Sequence, residues 1–241
     1  MSATNQAAGH RFYSLRMAAE PRASLFDRTL ALVGLVTLSP FIILIAIAIV
    51  VETGFPVFFS QDRLAAGGHF FRLYKFRKFR PDIGSATRPV TLAADSRLTR
   101  VGRFLERTKL DEIPQLWNIV MGNMAIIGPR PEVPYFADCF TGGYERVLDY
   151  VPGILGPSQI AFRDEGALYP SPVDPVVFYR NVLFPAKAEL DLSYYPTRTF
   201  LRDLMWMGRG VLAVLHLQPG DAVEVNRTTM VQAEQATRST D

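Results

Sequence analysis

The longest feature of the hydrophobic pattern runs from Thr29 to Val51, TLALVGLVTLSPFIILIAIAIVV, 23 residues without a charge. At about 1.5 Å per residue, a helix of this length matches a hydrocarbon core of roughly 30 Å. A single transmembrane anchor is the first reading, since the run exceeds the usual apolar core of a cleaved signal peptide. Ser39-Pro40 at its centre complicates that reading. Proline removes a backbone hydrogen bond and kinks a helix, leaving two halves of about 17 Å each. The flanks matter too. Arg11, Arg16, Arg22 and Arg28 precede the run, and Arg63, Arg72, Lys75, Arg77, Lys78 and Arg80 follow it. Basic flanks stay on the cytoplasmic side. A single span denies that to one flank; a helix that enters, turns at Ser39-Pro40 and returns allows it for both. On the pattern alone, span and re-entrant helix both stand.

Further along, two aromatic-rich runs around Ala-Ala-Gly-Gly, within GFPVFFSQDRLAAGGHFFRLYKFRKF, predict a β-hairpin. In its second strand Lys75 and Arg77 project to one side, either as an anion-binding pair or as charges that protect an edge strand. The segment 95–108, DSRLTRVGRFLERT, has Leu98, Val101 and Leu105 at helical spacing. Arg100, Arg103 and Arg107 form a basic stripe on that helix, which is either its wet side or the approach to an anionic ligand. A second helix is predicted over 114–122, PQLWNIVMG, and an amphipathic one over 197–215, suited to the core or to a membrane interface. Residues 1–23 are polar and mixed, a tail or a surface helix, and 216–241 lack apolar periodicity and are expected to be a disordered tail. The fold class expected is α+β: a mostly helical, membrane-associated single domain with a re-entrant membrane hairpin, a small β-hairpin and interfacial amphipathic helices. Its divisions are 1–23, 24–51, 52–215 and 216–241.

Charge sharpens this picture. Net charge is only +3, but residues 1–80 hold ten Lys/Arg against four Asp/Glu, while the rest hold 16 against 19. A basic third beside an apolar run points to an anionic membrane surface. No zinc-finger spacing or RNA-binding signature appears, so nucleic acid is not expected as a partner. Cys139 is the single cysteine, which excludes an intrachain disulfide and a cysteine metal cluster.

The candidate chemistry lies between the basic helix and the next one. In ERTKLDEIPQLWN, the pair Asp111-Glu112 reads first as an ordinary helix start, with acids in the first turn and a proline after them. The arginine stripe leading into it raises the alternative of a catalytic acidic pair. Downstream, Gly128-Pro129-Arg130-Pro131 holds an arginine on a stiff loop, able to offer a guanidinium fork to phosphate or simply to face solvent. If the ligand is anionic, Lys75, Arg77, Arg103, Arg107 and Arg130 are the cations to balance it, Arg103 and Arg130 foremost.

In order, LFDRTLALVGLVTLSP, PVFFSQDRLAAGGHFFRLYKFR, DSRLTRVGRFLERTKLDEIPQLWNIVMGNMAIIGPRPE, VPGILGPSQIAFR and FPAKAELDLSYYPTRTFLRDL cover most of residues 25–205. This ordered set resembles the bacterial sugar transferase family, the monotopic phosphoglycosyl transferases. The resemblance implies transfer of a sugar phosphate from a nucleotide diphosphate sugar, usually UDP-linked, to a polyprenyl phosphate such as undecaprenyl phosphate. That is an initiating step of membrane glycan or exopolysaccharide synthesis. By motif position Asp111 would be the nucleophile and Glu112 a ligand of the required Mg²⁺, with Gln115 and Pro131 completing the substrate-binding set. The family's Ser-Pro break, here Ser39-Pro40, implies the re-entrant helix. The active site would then face the cytoplasm at the bacterial inner membrane, within reach of downstream glycosyltransferases. Lys78, Phe79 and Lys109 depart from the family's usual residues, which bears on sugar or nucleotide preference. A non-catalytic membrane adaptor of the same fold, and a Leloir-type glycosyltransferase, are the alternatives.

Overall fold

Residues 23–80, 90, 95–170 and 173–214 are described by a computed structural model. Of the expected N-terminal segment, 1–23, all but Ala23 lies outside these residues, as does the expected tail over 216–241. Helix α1, Leu25–Thr53, takes up the apolar run. Ser24 starts it with a capping box: its hydroxyl accepts the Asp27 N–H, and the Asp27 carboxylate accepts the Ser24 N–H. At the expected interruption, Ser39-Pro40, helical backbone continues, with Pro40 inside the helix. Pro40 has no N–H for the Val36 carbonyl, and the Ser39 hydroxyl donates to that carbonyl instead, at 2.8 Å. Only Ala31 and Ile49 are buried along α1, whereas Val33, Val36, Phe41 and Leu44 are exposed. Just 6% of its most apolar window is buried, which excludes the core helix of a soluble protein and fits membrane association.

The two ends of α1 are fastened to the same body. Near the start, Arg28 Nε donates to the Val120 carbonyl at 2.8 Å, and Asp27 Oδ1 accepts the Ile126 N–H. At the finish, the Glu52 carboxylate accepts the N–H groups of Arg100 and Val101 at 2.7 and 2.9 Å. Arg77 Nη2 closes the last turn, donating to the Thr53 hydroxyl at 2.6 Å and the Gly54 carbonyl at 2.7 Å.

Strands β1, Phe58–Leu64, and β2, Phe70–Phe76, form the expected antiparallel hairpin, pairing Phe58 with Phe76 and Leu64 with Phe70. Gly67 and Gly68 take positive φ in the connection, which explains the glycine pair. Helix α2, Arg100–Thr108, begins at Thr99, whose hydroxyl accepts the Gly102 N–H. It ends on Lys109 in the left-handed region, φ 58. A 3₁₀ turn, Leu110–Glu112, leads on to α3, Gln115–Val120. The hairpin, α1 and α3 share a core of Ala31, Phe71, Leu73, Ile119 and Met124.

A second, parallel pair was not expected from the pattern: β3, Ala125–Ile127, lies beside β4, Gly153–Leu155. Three residues per strand give too short an alternation to read. Helix α4, Pro157–Ala161, follows β4, and Asp191 holds its start by accepting the Ser158 hydroxyl at 2.9 Å. Helix α5, Pro175–Phe178, passes through a π turn, Tyr179–Leu183, into α6, Phe184–Tyr194. With the 3₁₀ segment Pro134–Cys139 they bury Phe136, Phe140, Phe178, Tyr179, Leu183 and Phe184. The amphipathic helix expected over 197–215 is α7, Phe200–Val214, with Phe200, Leu201, Leu204 and Val211 exposed.

Candidate active site

The site is built where α2 ends. Lys109 turns the chain through its left-handed conformation, and the 3₁₀ turn then aims Asp111 and Glu112 at the end of β2. Lys75, near the end of that strand, sets its ammonium 2.6 Å from Glu112 Oε1. Arg130 brings Nη1 to 3.9 Å from the same oxygen. Its loop is pinned on both sides: Gly128 N–H donates to the Leu155 carbonyl, and Gly153 N–H to the Pro129 carbonyl. A Cβ on Gly153 would sit 2.2 Å from the Gly128 nitrogen, so only glycine permits this approach.

Asp111 is 3% exposed, yet its carboxylate accepts no hydrogen bond among the described residues. Burial pushes its pKa up, against the opposing charge of Lys75. Burial also pushes Glu112 up, but Lys75 and Arg130 outweigh it and hold that carboxyl well below the usual range. The neighbours therefore have distinct states: Glu112 is firmly ionised and engaged, and Asp111 is unengaged and readier to take a proton or a new bond partner. Both line a cavity of about 1010 Å³. Among the described residues its lining carries eleven Lys/Arg against six Asp/Glu, which suits an anionic ligand. No three His, Cys, Asp or Glu side chains among the described residues form a cage for a metal ion.

The model of the bacterial sugar transferase family matches residues 19–217. The chain belongs to that family. It is 41% identical, over 47% of its length, to a putative undecaprenyl-phosphate N-acetylgalactosaminyl 1-phosphate transferase of Bacillus subtilis, covering 64% of that protein. It is 33% identical to the sugar transferase EpsL of the same organism, over 90% of this chain and 96% of the other. It is 30% identical to a UDP-glucose:undecaprenyl-phosphate glucose-1-phosphate transferase of Caulobacter vibrioides, over 83% of this chain and 72% of the other. In two longer relatives the matched stretch is only 30% and 27% of the protein. The chain thus spans less than two thirds of several curated relatives.

Within this family member, Asp111, Glu112, Lys75 and Arg130 come together as the residues suggested. Arg107 lines the cavity through the end of α2, although it is exposed. Arg103, ranked with Arg130 from sequence, is exposed, contacts the Leu98 carbonyl and does not line the cavity. It lies one turn before Arg107, and only the last turn of α2 reaches the site. Arg77 lies at the cavity edge, but its Nη2 is spent on the end of α1, and its Nε and Nη1 are buried without a partner. Gln115 and Pro131 are buried and do not line the cavity; the Pro131 carbonyl instead accepts Arg63. Lys78 bonds Glu106 at 2.8 Å, and Lys109 donates to the Arg163 carbonyl; with Phe79, all three departures from the family pattern line the cavity.

Sequence reasoning missed Arg63, Glu132, Arg163, Glu165, Tyr179 and Lys187, all of which line the cavity. Glu132 follows Gly-Pro-Arg-Pro directly and was within reach of a motif argument. Glu165, Tyr179 and Lys187 lie in loops and helices with no local pattern that brings them to the site.

Proposed function

We propose that this protein transfers a sugar 1-phosphate from a UDP-linked sugar to a polyprenyl phosphate, undecaprenyl phosphate in bacteria, through a phosphosugar–Asp111 intermediate. The observation that carries it is the Asp111 carboxylate: nearly buried, facing a cation-rich cavity, and accepting no hydrogen bond among the described residues. A carboxylate Oδ of Asp111 attacks the β-phosphorus, and the bond from that phosphorus to the oxygen bridging to the α-phosphate breaks. Nucleoside monophosphate leaves, and an acyl-phosphate holds the sugar phosphate. An oxygen of the acceptor phosphate then attacks the same phosphorus, freeing Asp111 and forming the polyprenyl diphosphate sugar. Lys75, Arg107 and Arg130 balance the diphosphate charge, so the chain supplies positioning and electrostatics.

Magnesium fits the donor set. Glu112 Oε2 and the Asp111 carboxylate are oxygen ligands without a hydrogen-bond partner among the described residues, and Mg²⁺ takes the rest of its shell from water and phosphate. When bound it supplies charge neutralisation at the diphosphate. Glu112 would hold it, with its carboxylate oriented by Lys75.

The membrane reading is re-entrant. A span puts about 30 Å of hydrocarbon between helix ends, whereas both ends of α1 hydrogen-bond one polar body. The exposed apolar face of α7, with Phe104 and Trp117, would rest at the same interface, facing the cytoplasmic leaflet. The names of two of the three relatives above, which specify undecaprenyl phosphate, support the acceptor. The test is donor carrying a label in the sugar, incubated with protein and Mg²⁺ before any lipid is added. Wild type should retain label and release nucleoside monophosphate, while Asp111→Asn should do neither and keep its fold. Label absent from wild type that still turns over with lipid would sink the covalent scheme.

A further inference from the structure

The cavity has a second polar wall that the chemistry above does not use. Lys187 is 6% exposed, and its ammonium donates to Glu165 Oε2 at 2.5 Å and to the Tyr179 hydroxyl at 3.4 Å. The Tyr179 hydroxyl donates to Glu132 Oε1, and the Tyr169 hydroxyl to Glu165 Oε1 at 2.7 Å. Arg63 lies alongside, donating to the Pro131 carbonyl and Gln61. Ion pairs buried in this way stabilise a fold little or not at all relative to apolar packing. Their hydrogen bonds also leave valences over. An ammonium has three donors and a carboxylate has lone pairs on both oxygens. Glu132 Oε2 has no hydrogen-bond partner among the described residues, the Lys187 ammonium has two acceptors for its three N–H groups and otherwise rests over the Tyr179 ring at 4.6 Å, and Arg63 Nε is buried without a partner.

The charge on this wall separates it from the rest of the cavity. Glu132 and Glu165 are balanced by Lys187 and Arg63, whereas Asp111 and Glu112 lie among Lys75, Lys78, Lys109 and Arg130. A diphosphate belongs with the cations. A balanced array of leftover donors and acceptors suits a neutral ring bearing hydroxyl or amide groups. Arg130 links the two regions, since Glu112, Glu132 and Glu165 all act on its charge. On the transferase reading, on which this inference rests, the sugar is bonded to the phosphorus that Asp111 attacks. The sugar is then the neutral ring that must lie next to the Arg130 end of the diphosphate.

We propose that Glu132, Tyr179, Lys187 and Glu165 form the subsite for the donor's sugar ring and discriminate between sugars by their hydroxyl and acetamido pattern. The side chains are specificity determinants: Glu132 Oε2 accepts from a sugar hydroxyl, and Lys187 donates to another.

The experiment compares wild type with Glu132→Gln and Tyr179→Phe, near-isosteric changes that keep the wall packed. Lys187→Met with Glu165→Gln serves as a paired third variant that leaves neither charge alone. Each is reconstituted in phospholipid nanodiscs and checked for wild-type circular dichroism. Nucleoside monophosphate release is then followed over UDP-sugars that differ at C2 or are epimers at C4, together with inhibition by UMP. The expected result is a change of about tenfold or more in the ratio of kcat/KM between epimeric donors, with UMP inhibition altered less than about twofold. Equal loss on every donor would overturn the proposal in favour of a structural role. A large change in UMP inhibition with unchanged sugar ratios would overturn it in favour of a nucleoside seat. Turnover of any donor by wild type upholds the transferase reading whatever the ratios do, and turnover of none removes both.

Discussion

Removing the Lys75 ammonium tests whether the Lys75–Glu112 pair is a stability element, a catalytic element or both. The two side chains are 15% and 17% exposed, so water screens them little. Breaking a buried pair from one side costs about 3–5 kcal/mol, because the remaining charge is stranded. In Lys75→Met, Arg130 still faces Glu112 from 3.9 Å, which places the loss near the lower bound, about 3 kcal/mol. For a chain of this size that lowers the melting temperature by about 6–12 °C. Glu112→Gln strands Lys75 instead, but Asp111 lies nearby to receive it, so the loss is smaller, about 2 kcal/mol. The double variant strands nothing. It should regain all but about 1 kcal/mol of the stability while Mg²⁺-dependent monophosphate release stays at least about a hundredfold down in all three. Near-UV circular dichroism melts in nanodiscs give the stability, and monophosphate release gives the activity. If the double variant melts as low as the two single losses added together, the pair is not coupled and the electrostatic account of Glu112 fails.

Burial pushes Asp191 up to about 7, against the Ser158 bonds that oppose it. A carboxyl whose folded pKa lies above its unfolded one contributes stability present below about pH 4 and lost as pH rises through 7. At about 1.36 kcal/mol per unit the loss approaches 4 kcal/mol. Asp191→Asn should therefore melt higher than wild type at pH 8 and not at pH 4; equal melting of wild type at pH 5 and pH 8 refutes this. Gly102→Ala puts a Cβ 2.0 Å from the Lys78 carbonyl, forcing α2 off the end of the hairpin at a cost of about 3 kcal/mol. Gly208→Ala, with nothing within 4 Å, should instead raise stability by up to about 1 kcal/mol, and equal effects at the two glycines would discount the contact.

The parts legible in the sequence were those with local periodicity or a compact motif. The apolar run became α1, Ala-Ala-Gly-Gly became the hairpin connection, and Asp111, Glu112 and Arg130 met as their motifs suggested. The arginine stripe shows where such reasoning stops: spacing put Arg103 and Arg107 on one face, but which turn reaches the cavity depends on how Glu52 and Lys78 seat α2. Arg77 shows the same limit. Alternation placed it beside Lys75, yet the unpaired carbonyls at the end of a helix 23 residues earlier took its guanidinium. The second polar wall joins Glu132 to Tyr179 and Glu165 to Lys187 across 47 and 22 residues, distances at which single-chain pattern carries no information.

The fastening of α1 at both ends also has a bearing on how the protein is made. Its anchors lie 48, 92 and 99 residues downstream, in Arg100, Val120 and Ile126. At about 5–20 residues per second, the ribosome takes about 5–20 seconds after finishing the first turn of α1 to deliver the last of them. Thr53 precedes Arg100 by 47 residues, so the apolar helix is complete before the first of these polar restraints exists. With α1 in the membrane as proposed, the bilayer receives the helix before the polar body can hold it, and the body then folds onto a helix already in lipid. On that proposal, the face of the membrane that Asp111 and Glu112 occupy follows from Arg100 and Val120 arriving on the side where synthesis takes place.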